Sequence, residues 1–203
     1  MASKQEMPLG RQALKTKRTR EKLIEATVSL IKEGGFAAAS SSRIAERAGM
    51  TWGAAQHHFG SKEDILDAIL AMSYERFIAT MSVAELRVGS MADRCALFVD
   101  RMWLHYQSNL YLVALEILLA TREDSDHPAR AWEARQGKAH LKIVREIFFD
   151  TRLTDARIRE ALTFTHCCLT GLRIESIFES RVKNLDNHLQ RIKMAMLIML
   201  SGV

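Results

Sequence analysis

Two groups of side chains in this sequence have residue types that could do chemistry. His57 and His58 are adjacent, and His166 is followed directly by Cys167 and Cys168. Paired imidazoles invite a metal or acid–base reading, and a histidine beside thiols invites a nucleophile. The spacing argues against both. On a helix, sequence neighbours point about 100° apart, so one ion cannot readily take both imidazoles. No H-x-x-x-H pattern and no nearby carboxylate completes a metal shell. No strained nucleophile turn precedes the cysteines, and no oxyanion-type glycine cluster lies near them. The chain reads as a non-enzyme without metal or cofactor. Cys167 and Cys168 read as small core or pocket residues. A redox sensor would need a lowered thiol pKa. With Cys95 the count is three, without C-x-x-C spacing. That pattern predicts a reducing compartment and no disulfide framework.

Charge placement indicates another kind of chemistry. Residues 1–62 hold 11 of the 29 Lys/Arg and 5 of the 24 Asp/Glu, leaving 18 basic and 19 acidic residues for the remainder. The whole excess of positive charge sits in the first third, which predicts a polyanion-binding head on a nearly neutral body. A solvated basic face is the plainer alternative. No apolar segment follows the basic N-terminus as in a signal peptide. The longest apolar run near the C-terminus, Met194–Leu200, is too short to span a bilayer. These features predict a cytoplasmic chain with no membrane partner.

The elements that must position such a head are helices. There are only two prolines, Pro8 and Pro128, and no alternating strand-like segment. The sequence predicts an all-α fold of about nine helices. Residues 1–15 read as a flexible basic arm. A first helix runs over 16–33, stopped by Gly34-Gly35. Ser40–Ser42 offer an N-cap to a short second helix that ends at Gly49. Thr51 can cap a third helix over 52–59, closed by Gly60, and Ser61 a fourth with Glu63 and Asp64 in its first turn. Later helices are expected near 90–107, 109–122, 128–149, 154–179 and 184–201. The domains are then the arm, a helix-turn-helix head at 16–62 and a larger helical body at 63–203. A major groove about 12 Å wide admits one helix, which the second helix holds at a fixed angle.

Residues 16–66 resemble the DNA-binding domain of the tetracycline-repressor (TetR) family. The resemblance rests on Gly34-Gly35-Phe36, Ile44-Ala45, Ala48-Gly49, Thr51, Gly53, His58-Phe59, Ser61-Lys62-Glu63 and Leu66. It implies a homodimeric, ligand-responsive transcriptional regulator, most often a repressor, that binds a palindromic operator in double-stranded DNA. Effector binding would swing the fourth helix and spoil the spacing of the two recognition helices. By the family pattern Thr51 and Lys62 touch phosphate, and Ser42 and Arg43 line the exposed edge of helix two. Gly53 permits close approach, Trp52 and Ala54 face bases, and His58 lies near the backbone; His57, read from the helix itself, is expected to be exposed and within reach of phosphate. Gln56 departs from the family's usual tyrosine. It either keeps that residue's phosphate contact, the favoured reading, or pairs with adenine.

The body is expected to hold a small hydrophobic or aromatic effector. Phe98, Met102, Trp103 and Tyr106 share a face of the fifth helix, joined by Leu115, Leu118 and Leu119 from the sixth and Phe164 and Cys168 from the eighth. His105, Arg122 and Arg173 are candidate polar anchors. In the last helix Leu185, Leu189, Ile192, Met196 and Met199 form a 4-3-4-3 seam. With Leu169 and Leu172 they are expected at a dimer interface; the alternative is that these helices only close the monomer core. Two other functions stay open: an activator of the same type, or a helical interaction protein whose head no longer reads DNA.

Overall fold

The computed structural model describes residues 10–123, 139–178 and 182–202. Among them there are nine α-helical segments and no strand. These are α1 (Arg11–Gly34), α2 (Ser41–Arg47), α3 (Trp52–Phe59), α4 (Lys62–Met81), α5 (Met91–Tyr106), α6 (Asn109–Ala120), α7 (139–147 of the described residues), α8 (Asp155–Glu175) and α9 (Leu185–Ser201). No described helix is long and apolar enough to cross a membrane. Residues 1–9 of the expected arm lie outside the described residues. Residues 11–15 do not behave as an arm: α1 begins at Arg11, because Gln12 to Lys15 are good helix formers with nothing to stop them before Gly10. The expected start of the seventh helix at Pro128 also lies outside the described residues.

The chain forms two compact units. The first runs to Ala71 and takes in Val113–Glu123; the second comprises Met72–Leu112 and the residues from Asp124 onward. The sequence alone puts the boundary after Lys62, which is the first residue of α4. In the first unit α1, α2 and α3 pack on one another around Leu23, Leu30, Ile31, Ile44, Ala45, Ala55 and Phe59, each no more than 7% exposed. Local chemistry sets their ends. Ser40 Oγ accepts from the Arg43 amide to start α2, and Thr51 Oγ1 accepts from the Ala54 amide to start α3. Gly60, at φ +90°, closes α3 in the left-handed region, where a side chain would be strained. Ser61 and Asp64 then form a reciprocal cap on α4: the Ser61 amide and hydroxyl donate to Asp64 Oδ2, and the Asp64 amide donates to Ser61 Oγ.

In the second unit α5, α8 and α9 pack together. The expected dimer residues Leu169, Leu189, Ile192 and Met196 are buried here within the protomer, so this seam closes the chain's own core. Helical spacing identified a buried stripe correctly but not the partner that buries it. Leu172, Leu185 and Met199 are half-buried. The outward face of α8, its following turn and α9 carries Phe164, Ile174, Ile177, Phe178, Met194 and Ile198, all exposed.

Candidate nucleic-acid interface

Helix α3 presents a polar, open edge. Gly53, Ala54, Gln56 and His57 are exposed, Trp52 and His58 are half-buried, and Ala55 and Phe59 turn inward. The Thr51 hydroxyl accepts the Ala54 amide and keeps its own proton to donate outward. Ser42 and Arg43 are exposed on α2, with Ser42 Oγ 3.3 Å from Ser40 Oγ. Lys62 is half-buried, and its ammonium lies 4.5 Å from the centre of the Phe36 ring. That contact fixes the lysine's direction while leaving N–H groups to donate. All ten expected DNA-facing residues therefore fall on α2, on α3, at Thr51 just before α3 or at Lys62, the first residue of α4. The His57 and His58 rings meet edge to face, 5.5 Å between centres. Among the described residues no group of three or more His, Cys, Asp or Glu is placed to hold a metal ion.

Two arginines that the sequence counts only as charge turn out to hold the head together. Arg20 on α1 donates from Nη1 to the His58 carbonyl at 2.6 Å and lays its guanidinium 3.8 Å over the Phe59 ring. A cation at the C-terminal carbonyls of α3 also complements the helix dipole. Arg47 on α2 pairs with both oxygens of Glu33 on α1 at 2.9 Å, and with Ser29 Oγ at 2.7 Å. The Arg47 and Ser29 hydrogen bonds hold the Glu33 carboxyl down to about 2. Neither arginine could be told from a phosphate ligand by sequence, because both partners come from another helix. Arg20→Ala should leave the helices formed and loosen α3, weakening DNA binding about tenfold. Thermal unfolding and a fluorescence-anisotropy titration check this.

The head has a third unforeseen contact. Glu116 on α6 accepts the Phe36 amide at 2.6 Å through Oε1, within the first unit. It fastens the turn between α1 and α2.

The expected effector residues are only partly assembled. Phe98, Met102, Trp103 and Tyr106 are buried on α5. Phe164 is 42% exposed on α8, Leu119 is exposed, and Cys168 is half-buried. Leu115 and Leu118 belong to the first unit, not to the second with the others. Of the expected anchors, His105 is buried and Arg173 half-buried, whereas Arg122 is exposed.

A short capped helix, held by two others and offering an exposed polar edge beside basic residues, defines a helix-turn-helix module. Residues 23–69 match the family model described as bacterial regulatory proteins, tetR family. It is 30% identical over 104 residues to the transcriptional repressor KstR of Mycolicibacterium smegmatis, covering 51% of this chain and 50% of that one. It is 43% identical over 51 residues to the transcriptional regulator BetI 2 of Chromohalobacter salexigens, a quarter of each chain. The chain spans half or less of the length of these relatives. A solved transcriptional regulator from Rhodococcus sp. Rha1 shares the fold over 90% of this chain and 96% of its own, with TM-score 0.70 and 18% identity. The Bacillus subtilis regulator FadR, solved with stearoyl-CoA, does so over 90% and 98%, with TM-score 0.65 and 20% identity.

Proposed function

We propose that the chain is a cytoplasmic, ligand-responsive transcriptional repressor that binds a palindromic operator as a homodimer and leaves it on binding a small effector. The observation that carries the reading is α3 itself: capped at Thr51, closed at Gly60, and exposing Gly53, Ala54, Gln56 and His57 along one edge. Arg43 and Lys62 supply charge on either side of it. Relatives named as a transcriptional repressor and as transcriptional regulators support the same reading. Exposed Phe164, Ile174, Met194 and Ile198 on α8 and α9 are the surface a second copy would cover, with half-buried Leu172, Leu185 and Met199 at its margin. Two recognition helices must then sit roughly 34–36 Å apart, one turn of DNA. Effector and operator must disfavour one another reciprocally.

Selection from a randomised duplex pool should enrich an inverted repeat that binds two chains. Affinity for it should fall steeply with salt, by on the order of a thousandfold between 50 and 200 mM if about six phosphates are neutralised. Failure to enrich any sequence would overturn the repressor reading. A flat salt response would remove the phosphate roles of Thr51, Arg43 and Lys62.

A further inference from the structure

The second unit contains two buried imidazole nitrogens without a hydrogen-bond partner, His105 Nδ1 and His140 Nε2. His105 is 6% exposed. Its ring meets Phe77 edge-on at 5.4 Å and Tyr111 at 5.5 Å. The His140 ring lies 4.6 Å from the same Phe77 and 5.4 Å from Tyr74. Tyr106 and Tyr111 stack at 4.2 Å, and their hydroxyls are already engaged, Tyr106 with His166 and Tyr111 with Thr170. The phenols are therefore satisfied by the protein, and the two imidazoles are not. A buried polar atom left unpaired is costly, and completion of its bonding by a bound molecule is one physical reason for keeping it.

We infer that this ring cluster is the effector site and that it takes an uncharged, flat aromatic molecule carrying a hydroxyl or carbonyl oxygen. The inference rests on the regulatory reading above and specifies its ligand. The oxygen would engage His105 and His140, each of which offers an N–H or a lone pair according to tautomer. The ring would pack among aromatic edges and faces that already meet in tilted and edge-on pairs. Burial pushes both histidines down to about 4, with Arg76 adding to this at His105 and His166 at His140. Both are neutral at pH 7 and carry no charge to meet an ionised ligand. Arg76 is solvent-exposed, so its charge is screened and cannot repay the desolvation of an anion. The rings touch one another at ordinary packing distances, so the molecule is admitted by side-chain rotation.

Calorimetric titration of the full chain with 2-naphthol, naphthalene and 2-naphthoate tests this. 2-Naphthol should bind at least tenfold more tightly than either control. His105→Phe should cost 2-naphthol about tenfold while leaving naphthalene unchanged, and His140→Phe should do the same where the first variant fails to fold. Equal binding of all three compounds, or no binding of 2-naphthol, overturns the inference, and so does unchanged affinity in both folded variants. Operator binding is followed in parallel. Operator binding without 2-naphthol binding sinks the ligand assignment alone, whereas loss of sequence-specific DNA binding in the parent chain sinks the regulatory reading instead. 2-Naphthol bound without release of the operator overturns the site's role as effector site.

Discussion

A chain carrying Gly53→Glu should keep its fold and lose operator affinity by a hundredfold or more. Gly53 lies in the first turn of α3, is exposed, and a Cβ built on it meets no atom within 4 Å. Its backbone is not in the left-handed region, so the fold does not require glycine. Helix propensity even favours the change, by up to about 1 kcal/mol, and a carboxylate in the first turn suits the dipole. The whole penalty then falls on the surface that meets DNA. A side chain would stand between backbone and groove, and its charge would oppose the phosphates. A hundredfold loss corresponds to about 2.7 kcal/mol. Gly53→Ala, adding bulk without charge, should cost about tenfold or less. Thermal unfolding and operator anisotropy on the three chains separate the two effects. If Gly53→Glu bound the operator like the parent, α3 would not be the helix that reads it.

The stops and caps of the head were legible in the sequence because each is a local event. Thr51, Gly60 and Ser61 act within four residues of themselves, so their chemistry is written next to their consequence. Arg20 and Arg47 were not legible, because their partners lie 38 and 14 residues away on other helices. The same distinction explains the body. A 4-3-4-3 stripe says that Leu189, Ile192 and Met196 share a face, and they do; it cannot say whether that face meets the same chain or a copy. His105 and His140 carry no mutual pattern in sequence at all. They become a pair only because both pack against Phe77.

Glu116→Ala should weaken operator binding roughly ten- to thirtyfold, although Glu116 lies on none of the three helices of the head. Its Oε1 takes the Phe36 amide at 2.6 Å, and a Cβ placed on Gly35 would stand 3.1 Å from the same oxygen. Gly35 is at φ +77° and ψ 175°, a backbone region that is essentially glycine's alone. The turn between α1 and α2 is thus fixed by a conformation only glycine adopts and by an acceptor from α6. Removing the carboxylate leaves a part-buried amide unpaired, at a cost of about 1–3 kcal/mol, borne by the segment that sets α2 against α1. Glu116→Gln keeps an acceptor oxygen and should restore most of the affinity. Gly35→Ala should reproduce the loss by straining the same turn. Fluorescence anisotropy on the operator, with thermal unfolding alongside, checks the three variants; parent-like affinity in Glu116→Ala would show that the Phe36 amide does not need this acceptor.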